Sequence, residues 1–499
     1  MPGYAIPRAA LYRPPFLHYT HRMQPVALAM KEIHHTLTLA FGWVFACMVL
    51  SGCATTTKLA HVAEDHTVRL VSRPITAPAE LVWRFGIFGN ETITRLDVRF
   101  RRFPALERST PAELSESTGG IITNQAIATA IQRRSGQGVP GSVVFMVGGE
   151  EVFLDMESRI GQATNRINIQ TYIFDNDEYA IHFADLLRDR NSHGVDVRVL
   201  LDIIGTRRAW AVTHPQAPSP PYGNKYNIIR HLRAGSDIQV RRSHNTWLSS
   251  DHVKFTTIDG QYAYLGGMNI GWQYRFVWRD MMTKLTGGIV AELDRHFDAA
   301  WGRSGWLSDL ALLQSRRARQ AAYERREEDA KLFPLVTTPW RKQIYRAMLQ
   351  AIHHAEQRIY IENPYLWNKQ ILQALCAARH RGVDVRVVIP LETNIPVARG
   401  ADRKAANTLL RHQVRVFLYP GMTHKKATII DNWAVWGSAN YDDLSLHKNI
   451  ELNLATDDAH IVEALTAILL EGQDTSHELL EPLPTKIWDR LSSAMSNLL

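Results

Sequence analysis

A chain of 499 residues that is 45% hydrophobic and 21% charged is long enough for two domains with separate cores and too apolar for a disordered polypeptide. Three cysteines exclude a disulfide-stapled scaffold and a thiolate metal centre. The formal charge of +8 suits an anionic partner, lipid surface or nucleic acid, and does not choose between them.

Residues 36–52 form an apolar run of seventeen, short for a spanning helix and right for the h-region of a signal peptide. The run ends in Leu50-Ser51-Gly52-Cys53, and a small, polar stretch comes next, Ala54-Thr55-Thr56-Thr57. The tetrapeptide ending in Cys53 resembles a bacterial lipoprotein box. The resemblance implies removal of residues 1–52, a lipid anchor on Cys53, and a place at the periplasmic face of the cell envelope, with Ala54 favouring the outer membrane over the inner. Because the box lies far from Met1, Met30 or Met23 is the better initiator. Residues 1–52 hold four basic residues and one acidic, so the charge falls to about +5 on their removal, and Cys376 becomes the one unmodified thiol. Residues 53–139 carry no motif and read as a tether with a small cap on the first half of the repeat that begins at residue 140.

From residue 140 the chain repeats itself. A helix-like stretch precedes Arg166-Ile-Asn-Ile-Gln-Thr-Tyr172, and another precedes Arg358-Ile-Tyr-Ile-Glu-Asn363; after a second helix, the hexapeptide GVDVRV occurs identically at 194–199 and 382–387. A β-rich run, a helix and a glycine-initiated buried strand mark βαβ units. The expected fold is α/β, with two pseudo-symmetric halves at 140–306 and 335–475. Each is a mixed sheet flanked by helices, with the active site at their interface, a linker at 307–334 and a tail at 476–499. The first half alone has a long segment, Thr206–Tyr226, holding Arg207, Arg208, Trp210, four prolines and Tyr222. It reads as a substrate-access loop, since such loops border the crevice at the carboxyl ends of strands. Trp247, Trp272, Tyr274, Phe276 and Trp278 concentrate on either side of His252-x-Lys254 and read mostly as core; exposure of several on one face would instead mark a membrane interface.

The chemistry is carried by His252-x-Lys254-x4-Asp259 and His424-x-Lys426-x4-Asp431. Asn269 follows His252 by 17 positions within Gly266-Gly267-Met268-Asn269, and Asn440 follows His424 by 16 within Gly437-Ser438-Ala439-Asn440. Asp280 and Glu451 then return at 28 and 27 positions, so the one missing residue of the second copy lies between its Asp and its Gly. The motif segments read as short strands with His and Lys on one face. Asp259-Gly260 and Asp431-Asn432 read as hairpin turns that lead the chain back and deliver each asparagine beside a histidine. An aspartate opening a tight turn more often bonds backbone than moves protons, so Asp259 and Asp431 are assigned structural roles. Asp280 and Glu451 are the candidates to hold an imidazole N–H and fix its tautomer.

This paired set, with its trailing G-[GS]-x-N, resembles the phospholipase D superfamily, and Gly266-Gly267-Met268-Asn269-Ile270-Gly271 is similar to its cardiolipin synthase branch over roughly residues 140–475. The resemblance implies His252, Lys254, Asn269 and Asp280 with His424, Lys426, Asn440 and Glu451 as one catalytic set, Gly267 and Ser438 as motif positions, and His252 as nucleophile with His424 as acid. Lysines and asparagines suit the spread negative charge of a phosphodiester transition state, and neither a metal nor another cofactor is expected. The implied route is covalent: one histidine attacks phosphorus, the other protonates the leaving alcohol and deprotonates the acceptor. Leu444 departs from the pattern, since many lipid-acting relatives carry arginine there. The leading expectation is a lipid phosphodiesterase or phosphatidyltransferase on membrane phospholipid. The alternatives are an endonuclease of the same superfamily, which the anchor argues against, and a non-catalytic binding module. One chain supplies both half-sites, so a monomer suffices.

Overall fold

The computed structural model describes residues 124–210, 227–243, 249–304, 329–393 and 396–484. Cys53, most of the access loop, Trp247, most of the linker and the end of the tail lie outside the described residues.

The first half contributes strands β1 (Val139–Val147), β2 (Arg166–Thr171), β3 (Asp196–Leu201), β4 (Gln239–Arg242), β5 (Phe255–Ile258), β6 (Tyr262–Gly266) and β7 (Met281–Thr286). The second contributes β8 (Ala330–Thr338), β9 (Arg341–Lys342), β10 (Arg358–Glu362), β11 (Asp384–Pro390), β12 (Arg415–Tyr419), β13 (Ala427–Ile430), β14 (Trp433–Gly437), β15 (Glu451–Thr456) and β16 (His477–Glu478). Among the described residues they form one sheet in the order β16-β12-β11-β10-β13-β14-β15-β8-β1-β7-β6-β5-β2-β3-β4, with β9 paired to β8. The order mirrors itself about the β8–β1 junction, where Val139–Gly141 pair antiparallel with Ala330–Leu332. The two expected sheets are thus fused.

In each half three outer strands run parallel, β2-β3-β4 and β10-β11-β12, and the hairpins β5-β6 and β13-β14 pair antiparallel with the innermost of them. Helices Glu178–Ser192 and Lys369–His380 make the first crossovers. After each comes a glycine of the repeated hexapeptide in the left-handed region, Gly194 at φ 87° and Gly382 at φ 97°, where a β-carbon would be strained. The buried strands are lined by Val197, Val199 and Leu201 in one half and Val385, Val387 and Ile389 in the other.

Two expectations are corrected and one is narrowed. Of the region expected to hold a cap on the first half, the described helix Gln125–Ser135 packs on the second: its apolar stripe of Ile127, Ala128 and Ile131 meets Ile344, Met348 and Leu335, because helix Gln343–His354 offers a matching stripe. Strand β8 begins at Ala330, inside the expected linker, and His477–Glu478 of the expected tail extends the sheet beside β12. The histidine and lysine of each motif precede the strands, which start at Phe255 and Ala427. Their extended backbone is committed elsewhere, to bridges with the opposite half.

Candidate active site

These bridges build the site. The amide of His252 donates to Ile450 O at 2.9 Å, and that of His424 donates to Arg279 O at 2.7 Å. Ile450 and Arg279 immediately precede Glu451 and Asp280, so each motif is tied by its backbone to the carboxylate of the other half. The side chains are paired in the same way. His252 Nδ1 lies 2.9 and 3.1 Å from the two Glu451 oxygens, and His424 Nδ1 lies 2.6 Å from Asp280 Oδ2. The carboxylates are those read from the sequence, but each serves the histidine 144 or 199 positions away rather than the one in its own half. Arg279 pairs with Glu471 at 3.1 Å and leaves Asp280 to the imidazole.

With Nδ1 fixed, Nε2 of each ring is the nitrogen free to react. Tyr172 packs edge-on against His252, ring centres 4.7 Å apart, while Trp278 and Tyr274 lie 5.0 and 6.0 Å from His424. Of the aromatic concentration, Tyr274 and Trp278 are thus core residues that also wall the site, and Phe276 is exposed. Lys254 Nζ donates to His252 O and Lys426 Nζ to His424 O, both at 2.5 Å, and Lys254 also lies 5.0 Å from the Tyr172 ring centre. Asn269 Oδ1 accepts the Ile173 amide at 3.0 Å, which turns its NH2 group away from the backbone. It also hydrogen-bonds Tyr274, so it sits between the two aromatic walls. Asn440 hydrogen-bonds Asp442 and its Oδ1 has no partner.

Burial dominates the electrostatics. It takes His252 down to about 4 against the pull of Glu451, and takes His424 well below its ordinary value with help from Lys426. It brings Lys254 to about 7 and Lys426 to about 8. An arriving phosphodiester anion would restore both charges. The carboxylates diverge. Burial works to raise Glu451, but His252, Lys254 and a 2.6 Å hydrogen bond from Ser438 hold it below the usual range. Burial pushes Asp280 up to about 7 despite Lys426 and the Met281 amide at 2.7 Å. At the position equivalent to Ser438 stands Gly267, where a β-carbon would collide with the Asp280 carboxylate.

The asymmetry separates the two histidines chemically. An ionised Glu451 accepts from His252 Nδ1–H and leaves a lone pair on Nε2. A raised Asp280 carboxyl that shares its proton with His424 Nδ1 would place the imidazole hydrogen on Nε2.

The motif aspartates are structural, by a longer reach than their own turns. Asp259 accepts the amides of Thr164, Asn165 and Arg166 at 2.8–2.9 Å, and Asp431 those of Glu356, Gln357 and Arg358 at 2.8–3.1 Å. Each pins the loop leading into β2 or β10. Both sit in the left-handed region, φ 53° and 49°. The hairpin loops are Asp259–Gln261 and Asp431–Asn432, which locates the one-residue difference between the copies.

Sequence reasoning missed Asp251, which accepts from Gln170 Nε2 at 2.9 Å and is pushed up to about 7 by burial. It also missed the fully buried pair Lys425–Glu362, 3.2 Å apart. The available signal was positional: Gln170 and Glu362 are polar residues closing the repeated buried strands. Among the described residues no cluster of metal-ligating side chains occurs, and no helix is long and apolar enough to cross a membrane.

Comparisons with known proteins agree with this geometry. The family described as "Cardiolipin synthase, PLD-like domain" matches residues 156–301 and 348–471, one match per half. Cardiolipin synthase A of Pseudomonas syringae is 30% identical over 357 residues, 68% of this chain and 69% of the relative. A cardiolipin synthase of Staphylococcus aureus is 29% identical over 377 residues, 70% of this chain and 71% of the relative. The crystal structure of phosphatidylserine synthase from Haemophilus influenzae shares the fold, with a TM-score of 0.55 at 14% identity, covering 74% of this chain and 97% of that one.

Proposed function

Since the chain belongs to the cardiolipin synthase, PLD-like domain family and is a phosphatidyltransferase of the phospholipase D type, we propose that its substrate is membrane phospholipid and that transfer runs through a phosphohistidine. The observation that carries the reading is the crossed, electrostatically unequal pair of histidine–carboxylate contacts. His252 Nε2 attacks phosphorus, and the bond to the leaving alcohol breaks as His424 Nε2 delivers its proton. Lys254, Lys426, Asn269 and Asn440 face the non-bridging oxygens as charge accumulates there. The acceptor then gives its proton to His424 and displaces His252, restoring both groups. An alcohol acceptor yields a new phosphodiester and water yields phosphatidic acid. An endonuclease reading gains no support from the family.

Cys53 carries a lipid that holds the enzyme at the periplasmic face of the envelope, on the outer membrane. The lipoprotein-like Leu50-Ser51-Gly52-Cys53 supports this placement. Labelled palmitate entering the wild-type protein but not Cys53→Ala would bear it out, and equal labelling would refute it.

The activity is tested with residues 54–499 and phosphatidylglycerol vesicles, beside His252→Ala and His424→Ala. Cardiolipin formed by the intact protein alone supports a phosphatidyltransferase. Absence of any phospholipid product, in a preparation that cleaves a generic phosphodiester, would overturn the lipid assignment.

A further inference from the structure

Asp402 lies within helix Pro396–Arg411, is 4% exposed, and has no hydrogen-bond partner for either carboxylate oxygen. A buried carboxyl left in that condition costs stability, so the fold gains nothing from it. Its surroundings belong to the reaction side of the site. Ala398, Ala401 and Ala405 of the same helix pack in one cluster with Tyr365, Tyr274 and Trp278, the last two walling His424. A second buried carboxyl, Asp442, interacts with Asp402, caps helix Asp443–His447 through the Ser445 amide at 2.8 Å, and hydrogen-bonds Asn440. Asn440 in turn presents a buried Oδ1 that has no partner.

The wall therefore offers buried oxygens without a partner, on Asp402 and on Asn440; burial and Asp442 push the Asp402 carboxyl well above the usual carboxylate range, so it accepts through one oxygen and donates through the other, and a ligand there must bring donors. Ammonium groups and hydroxyl groups both qualify. Lys426, which feels Asp442, and Lys254 already stand in the pocket, and a third cation would be repelled by both. We propose that Asp402 is the specificity-determining residue that binds a neutral polyhydroxylated alcohol as acceptor, taking hydrogen bonds from the hydroxyls that do not react. This rests on the phosphatidyltransferase reading. The reacting hydroxyl loses its proton to His424 as its oxygen bonds phosphorus, and a neighbouring hydroxyl donates to Asp402, so a one-hydroxyl alcohol reacts without that contact.

The test compares wild type with Asp402→Leu and Asp402→Asn on phosphatidylglycerol vesicles containing equal labelled glycerol, ethanol or ethanolamine, and reads the ratio of glycerol to ethanol incorporated. A fall of about tenfold or more in that ratio for Asp402→Leu supports the inference, since a site built to accept a hydroxyl discriminates through it. Thermal unfolding provides an arm independent of activity. Removal of an unpartnered buried acid should raise the Tm of Asp402→Leu, whereas a lowered Tm would assign Asp402 a structural role and overturn the inference. An unmoved glycerol-to-ethanol ratio, or a selective loss of ethanolamine, would overturn it as well. Wild-type protein that incorporates no label and forms neither cardiolipin nor phosphatidic acid would contradict the transferase reading itself, a result distinct from an active wild type with unmoved ratios.

Discussion

Behind His424 the second half packs Lys425 against Glu362 at 3.2 Å, with Thr423 hydrogen-bonded to the same carboxylate and all three fully buried. Behind His252 the equivalent places hold Val253, Gln170 and Asp251, and a cavity of about 700 Å³ opens there, reaching Glu451. The halves keep their bridges, their histidines and their carboxylates in register, yet differ in what backs them. A duplicated skeleton can thus hold two histidines in one geometry while surrounding their carboxylates unequally, as the proposed division of labour requires. The decisive difference is small: Ser438 gives Glu451 a donor that Gly267 cannot give Asp280.

Neutralising the carboxylates separately should break the symmetry most strongly. Glu451→Gln can donate to His252 Nδ1 and move the hydrogen to Nε2, so phosphohistidine formation should slow by about 10³-fold. Asp280→Asn still donates to His424 Nδ1 but cannot pass it a proton, so it should lose about 10³-fold with a phospholipid and only about 10-fold with a p-nitrophenyl phosphodiester, whose leaving group needs no acid. Equal losses with that diester would show that the halves are interchangeable. The kcat profile sharpens the point. His252 must be neutral, so activity falls as pH drops through about 4, and the His424–Asp280 pair must keep its proton, so activity falls as pH rises through about 7. The alkaline limb should move in Asp280→Asn, and an unmoved limb would assign it to a lysine.

Stability should distinguish the backings next. Lys425→Met strands Glu362 in the core and should cost about 3 kcal/mol by denaturant unfolding, recovered in large part by Lys425→Met with Glu362→Gln. No recovery would mean that the pair acts through packing alone. The smallest contrast lies at the hairpins. Asp259→Ala and Asp431→Ala each release three backbone amides and should cost about 2 kcal/mol with phosphodiesterase activity retained at 25 °C. Asp431→Ala should cost more, since it also loses Asn124 at 3.0 Å. A collapse of kcat in a folded Asp259 variant would return that residue to the chemistry.

Spacing made much of the site legible. Local period and turn chemistry act within a few residues, and they placed the hairpins, the carboxylates and even the turn that holds the extra residue. The exchange of carboxylates between halves was not legible, because matched spacing describes each copy separately and the His252–Glu451 contact spans 199 positions. Helix Gln125–Ser135 was not legible either: no motif marks it, and its packing partners on helix Gln343–His354 lie more than 200 positions away. Asp402 and Asp251 carry no pattern at all; their significance lies in burial and in the presence or absence of a partner, which only the folded chain defines.

The division of labour between the histidines is tested most directly by rapid-quench trapping of the phosphoenzyme from a p-nitrophenyl phosphodiester, whose leaving group needs no acid. His424→Ala should still accumulate labelled phosphohistidine, at His252, and His252→Ala should form none. Label trapped on His424 in the His252→Ala protein would contradict the assignment.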